Sequence, residues 1–142
     1  MSDMQTSVVR LGVVSLVALT MAACGSSSGS SSSSGPSSPT TAPSDAVTTN
    51  TITISNSVVT PKNIKVARGS QVTFINNDNQ SHMMNSDPHP DHTDCPEINQ
   101  VGFLNAGESR QTGNMTSNRS VCGFHDHNLP NVAGLQGSIT IQ

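Results

Sequence analysis

Apolar residues alternate with polar ones in short runs over the second two thirds of the chain. Ile52 and Ile54 alternate with threonine in 51–54, Ile64 and Val66 with polar residues in 63–66, Val72 and Phe74 in 71–74, and Ile139 and Ile141 close the sequence. Period-two alternation places one side of each run in a core and the other in solvent, the pattern of half-buried β-strands. Turn formers separate the runs at Pro61, Arg68-Gly69, Asn76-Asn-Asp78, Ala106-Gly107 and Gly113. Outside the N-terminal segment no run shows helical periodicity. Short strands at this spacing predict an all-β antiparallel sandwich. Its core is expected from Val, Ile, Leu and three Phe, because the chain has no Trp or Tyr.

The N-terminus follows different rules. Arg10 precedes an uncharged apolar run, Leu11 to Ala23, that ends in two small residues before Cys24. This is the pattern of a secretion signal, and it falls short of the roughly 20 apolar residues a membrane-spanning helix needs. The segment Leu19-Thr-Met-Ala-Ala-Cys24 resembles a bacterial lipobox, with Met21 where Leu is usual. That resemblance implies cleavage before Cys24 and a lipid on its sulfur. From Ser26 to Ser44, eleven of nineteen residues are serine and none is large and apolar, so the stretch cannot form a core and is expected to act as a disordered tether. The expected organisation is therefore a signal over 1–23, lipidated Cys24 with a Ser/Gly/Pro-rich linker over 24–48, and one folded domain over 49–142. That length suffices for one core but not two.

Charge narrows the partners. Loss of the signal removes one acid and one base, leaving the formal net charge at −3. So weak a negative balance supplies neither a basic footprint for nucleic acid nor a polybasic patch for anionic lipid. Membrane contact would come through the lipid anchor alone, at the cell envelope, and a monomer is expected.

The chemistry is concentrated late in the chain. All five histidines, His82, His89, His92, His125 and His127, fall in the C-terminal half of the chain, with Cys95 and Cys122 among them. Imidazole and thiolate together suit copper or zinc. In an exported chain with Cys24 lipidated, Cys95 and Cys122 are also an even pair open to a disulfide, whose 28-residue loop would be worth roughly 3–4 kcal/mol in the chain-entropy model.

The order of features resembles the cupredoxin family over most of the expected domain. Thr60 to Asn77 reads as a strand, a Gly turn and a strand ending in Asn. Ser81-His82 follows, then the Ala-Gly-Glu turn within 104–109, then Val121-Cys-Gly-Phe-His125, and Leu135 to Ile141 as a closing Gly-β strand. The resemblance implies a Greek-key β-sandwich of plastocyanin or azurin type, with copper as cofactor and His82, Cys122 and His125 as trigonal ligands of a type 1 site. It further implies a one-electron carrier and a redox or copper-exchange partner. Leu135 stands where the family usually has its axial Met, so the axial donor is open to His127, Met83, Met84 or Met115, or is absent.

The insert from His82 to Cys95 is unusual for that family. It brings His89 and His92 together with Met83 and Met84, and these define a second reading. In that reading a Cys95–Cys122 disulfide accompanies a His/Met-rich, non-blue copper site, and the protein sequesters or delivers copper. An enzyme is not expected, since the chain carries no nucleophile-elbow, phosphate-loop or His-Glu-x-x-His pattern.

Overall fold

The computed structural model describes residues 42–142. The expected signal, Cys24 and most of the expected linker lie outside the described residues.

Ten strands make up the domain: β1 (Val47–Thr48), β2 (Thr51–Ser55), β3 (Val58–Thr60), β4 (Asn63–Val66), β5 (Thr73–Asn76), β6 (His82–Ser86), β7 (Gly102–Leu104), β8 (Ser109–Gln111), β9 (Val121–Asp126) and β10 (Gly137–Ile141). They form two sheets, one in the order β1-β4-β10-β9-β6-β7 and the other in the order β3-β2-β5-β8. Single turns of 3-10 helix at Ile98–Gln100 and Ala133–Leu135 are the helical elements among the described residues. The all-β, two-sheet expectation therefore holds. Strand β1 begins two residues before the expected start of the domain.

Burial follows the alternation: Ile52, Ile54, Ile64, Val66, Phe74, Ile139 and Ile141 all point into the core. The sandwich is mixed where antiparallel pairing was expected, because β1 and β10 both run parallel to β4, and β2 runs parallel to β5. Consecutive strands that switch sheets return beside an earlier strand in the same direction, which local alternation cannot reveal. One expected strand is displaced, from 71–74 to 73–76. The Val72 amide is taken by the Thr112 hydroxyl at 3.0 Å, so regular pairing starts one residue later.

Two tight features shape the sheets. The β2–β3 hairpin turns through Asn56 and Ser57, both with positive φ, the geometry of a two-residue hairpin loop that matches strand twist. Both turn amides donate to the carboxylate of Asp78. Gly137, at the start of β10, leaves room for the Phe124 ring and the Lys62 carbonyl, which a Cβ there would overlap.

Strand β9 has two faces with different duties. Cys122, Phe124 and Asp126 point into the core, while Gly123 and His125 lie on the opposite side, as period two requires. On the inner side Cys122 is joined to Cys95 in a disulfide, and both residues are fully buried. Further along that side, His82 Nδ1 donates to Asp126 Oδ2 at 2.7 Å and His82 Nε2 to Asp78 Oδ2 at 2.9 Å. Each ring nitrogen of His82 thus faces a carboxylate oxygen, and the ring bridges the two acids. The same Asp126 accepts the Asn128 amide, and Asp78 accepts the hairpin amides, so His82 ties the β2–β3 hairpin to the end of β9.

Burial alone would push the Asp78 carboxyl up. The amide of Ser57, the ring of His82 and the amide of Asn56 outweigh it and hold the group below its ordinary value of 3.8. A depressed carboxylate contributes stability that is present above the unfolded value and lost as pH falls through the folded one. The substitution His82→Ala strands the buried Asp126 carboxylate and should cost about 3–5 kcal/mol at pH 7. In urea unfolding, the gap between variant and wild type should narrow as pH is lowered through the carboxylate range. A gap that is small at pH 7, or that does not move with pH, contradicts this role.

Candidate metal centre

The outer side of β9 carries His125, and the ladder continues one residue past the strand, where the His127 amide donates to Met83 O at 2.7 Å. His125 and His127, two apart, therefore face the same way. The segment after β6 lies against them. It turns Cys95 and Ile98 into the core and leaves His89 and His92 outside, with His92 in the left-handed region at φ 53°.

The result is a cluster of four imidazoles. His89 lies 5.5 Å from His92, 5.4 Å from His125 and 5.0 Å from His127 between ring centroids. His92 lies 5.1 Å from His125 and 4.9 Å from His127. One ring nitrogen from each of His89, His92 and His127 falls within 4.8 Å of the others.

Hydrogen bonds fix which nitrogens remain available. His92 Nδ1 donates to the Ser86 carbonyl at 2.8 Å, so its Nε2 carries the lone pair, and that atom faces His127 Nδ1 at 2.8 Å. His125 Nδ1 donates to Asp87 Oδ1 at 2.6 Å, and its Nε2 is buried with no hydrogen-bond partner. A buried, unpartnered imidazole nitrogen is costly unless something accepts its lone pair. Two facing imidazole nitrogens likewise need a proton or a cation between them. Partial burial first, then the neighbouring His127, His125 and His92, push the His89 imidazole below its ordinary value of 6.5. Crowding thus favours the neutral ring at His89, the form that binds metal.

Support lies one layer out. Asp87 and the Ser86 carbonyl orient His125 and His92, in the way metal-binding histidines are commonly held by a carboxylate or a backbone oxygen. Asp87 reaches its place because position 123 is glycine: a Cβ there would overlap the Asp87 carboxylate. The Asp87 amide also donates to the Gly123 carbonyl at 3.0 Å. The cluster can hold a metal ion through nitrogen alone.

Comparison with known proteins adds the fold. No protein-family model and no curated protein matches the sequence. Among solved structures, a mutant plastocyanin of fern is 17% identical, covering 65% of this chain and 99% of its own, with a TM-score of 0.50. The Cu(I) form of an amicyanin mutant is 13% identical, covering 68% of this chain and 85% of its own, also at 0.50. The domain is cupredoxin-like. At these identities the likeness concerns the fold of the cupredoxin-like domain, and its site stands on its own residues.

Those residues are arranged differently from the trigonal set expected for a type 1 centre. His82, Cys122 and His125 are not brought together. Cys122 is oxidised in the disulfide and has no thiolate to offer. His82 spends both ring nitrogens on Asp78 and Asp126. Cys122 and His125 could reach one ion only if β9 ended just after the cysteine, so that a loop carried the histidine back. The strand instead runs on to Asp126, and residues three apart on a strand point to opposite faces.

Of the additional candidates, His89, His92 and His127 do converge with His125. Met84, Met115 and Leu135 are core residues with no exposure, while Met83 sits half-buried opposite Phe103 of β7. Asp87 and Gly123 escaped sequence reasoning because their roles exist only in relation to His125. The His-x-His spacing of 125 and 127 on a strand was the available signal.

Removing the support should weaken the centre without dismantling it. Asp87→Ala is expected to lower metal affinity about 10–100-fold, and Gly123→Ala to act in the same direction by displacing Asp87. Competition against a chromophoric chelator measures both. Unchanged affinity in both variants contradicts the assignment of His125 to the site.

Proposed function

We propose that this protein holds Cu(II) on the histidine cluster His89, His92, His125 and His127, and exchanges it with a protein partner at the cell envelope. It is a binding protein rather than an enzyme in this reading. The single observation that carries it is the pairing of Cys95 with Cys122, which removes the thiols of the described domain while four imidazoles converge a short distance away. A cupredoxin-like fold makes copper the first metal to test. A set of imidazole donors favours the divalent ion over Cu(I).

When bound, copper supplies a Lewis-acidic, exchangeable cation. The chain's own residues supply the rest: Asp87 and Ser86 hold the tautomers of His125 and His92, and the disulfide pins the segment bearing His89 and His92 to the strand bearing the other pair. Lipid on Cys24 would confine the domain to a membrane surface, with the serine-rich stretch as its tether. The chain's weak negative charge gives nucleic acid no footprint.

A second reading, the one-electron carrier, is favoured by likeness to plastocyanin and amicyanin. It requires the disulfide to be open and Cys122 to bind copper. Protein purified without reductant and loaded with Cu(II) separates the two. Holding and delivery predict one Cu(II) per chain, no titratable thiol in the domain, weak visible absorption and nitrogen hyperfine structure in the electron paramagnetic resonance spectrum. An intense thiolate-to-copper band that disappears in Cys122→Ala would instead establish the electron carrier. Anchoring has its own test: Cys24→Ser should move the chain from the membrane fraction to the soluble one, and retention in the membrane contradicts a lipid on that residue.

A further inference from the structure

The histidine cluster has an open side. A cleft of about 400 Å³ is lined by His89 and His125 but not by His92 or His127, so it meets the centre from one direction. Its lining also includes Lys62, Phe124, Gly137 and Ser138. Asp87 is the one carboxylate in the lining, and it is already engaged by His125 Nδ1. Lys62 is the one full cation there. It donates a single hydrogen bond, to the Ala133 carbonyl at 3.2 Å, and an ammonium has three donors to give.

Occupancy of the histidines by a divalent ion would add positive charge beside a cleft whose lining already holds a lysine with unspent donors. We propose that the cleft binds a small anion of the azide or carboxylate class, which completes the shell of the ion held by the histidines and takes Lys62 as its charge partner. The proposal rests on the metal reading above and adds to it a ligand and a residue.

The full protein, loaded with one equivalent of Cu(II), should be titrated with sodium azide while optical and electron paramagnetic resonance spectra are recorded. Saturable growth of an azide-to-copper band is expected, with one site per copper. Lys62→Gln should weaken azide binding roughly two- to five-fold, the worth of one partly screened charge pair, with copper affinity by chelator competition unchanged. Lys62→Arg should restore it. Spectra indifferent to azide, or azide binding as tight in Lys62→Gln as in wild type, overturn the proposal. Failure of the wild-type protein to take up copper before azide is added overturns the metal reading itself, and is seen as a separate result.

Discussion

Everything at this site follows from the alternation of faces along β9. A six-residue strand that is central in its sheet must bury one face, and that face takes Cys122, Phe124 and Asp126. Each meets the partner its chemistry requires: a second sulfur, the edge of the Phe74 ring at 5.2 Å between centroids, and the imidazole of His82. The opposite face inherits what remains, Val121, Gly123 and His125, with a second histidine just past the strand end. The two groups of residues are interleaved in sequence and separated in space by the thickness of one strand.

The disulfide links these two worlds. It closes the loop that begins after the histidine-bearing segment and ends on β9, restricting the unfolded chain and adding roughly 3–4 kcal/mol in the chain-entropy model. It also fixes the position of His89 and His92 relative to His125 and His127. An oxidised pair has no ligand role, so the same bond that assembles the nitrogen cluster removes the thiolate that a blue centre would need. The ion-paired His82 works in parallel: Asp78 and Asp126 saturate its ring, and the link holds hairpin to strand instead of holding metal.

Much of the fold was legible in the sequence, because period-two burial at Ile52, Ile54, Ile64, Val66, Ile139 and Ile141 is a local property. Strand order and the parallel pairings were not, since they depend on which sheet each strand joins. The histidine clustering and the candidate disulfide were legible as composition. The trigonal ligand set was misleading for a local reason: Cys122 and His125 share an ion if the strand ends between them and face apart if it does not. What extends β9 is its pairing with β6, including the His127 amide on Met83, and the demand of His82 for an acid 44 residues away. None of these contacts leaves a mark in the residues between Cys122 and His125.

The central claim is that copper here is bound by imidazole nitrogen and not by sulfur. X-ray absorption at the copper edge, on protein purified without reductant, tests it most directly. Nitrogen scatterers with the outer-shell pattern of several imidazoles, and no sulfur in the first shell, are the predicted result. A short copper–sulfur distance would show Cys122 as a ligand and contradict the account.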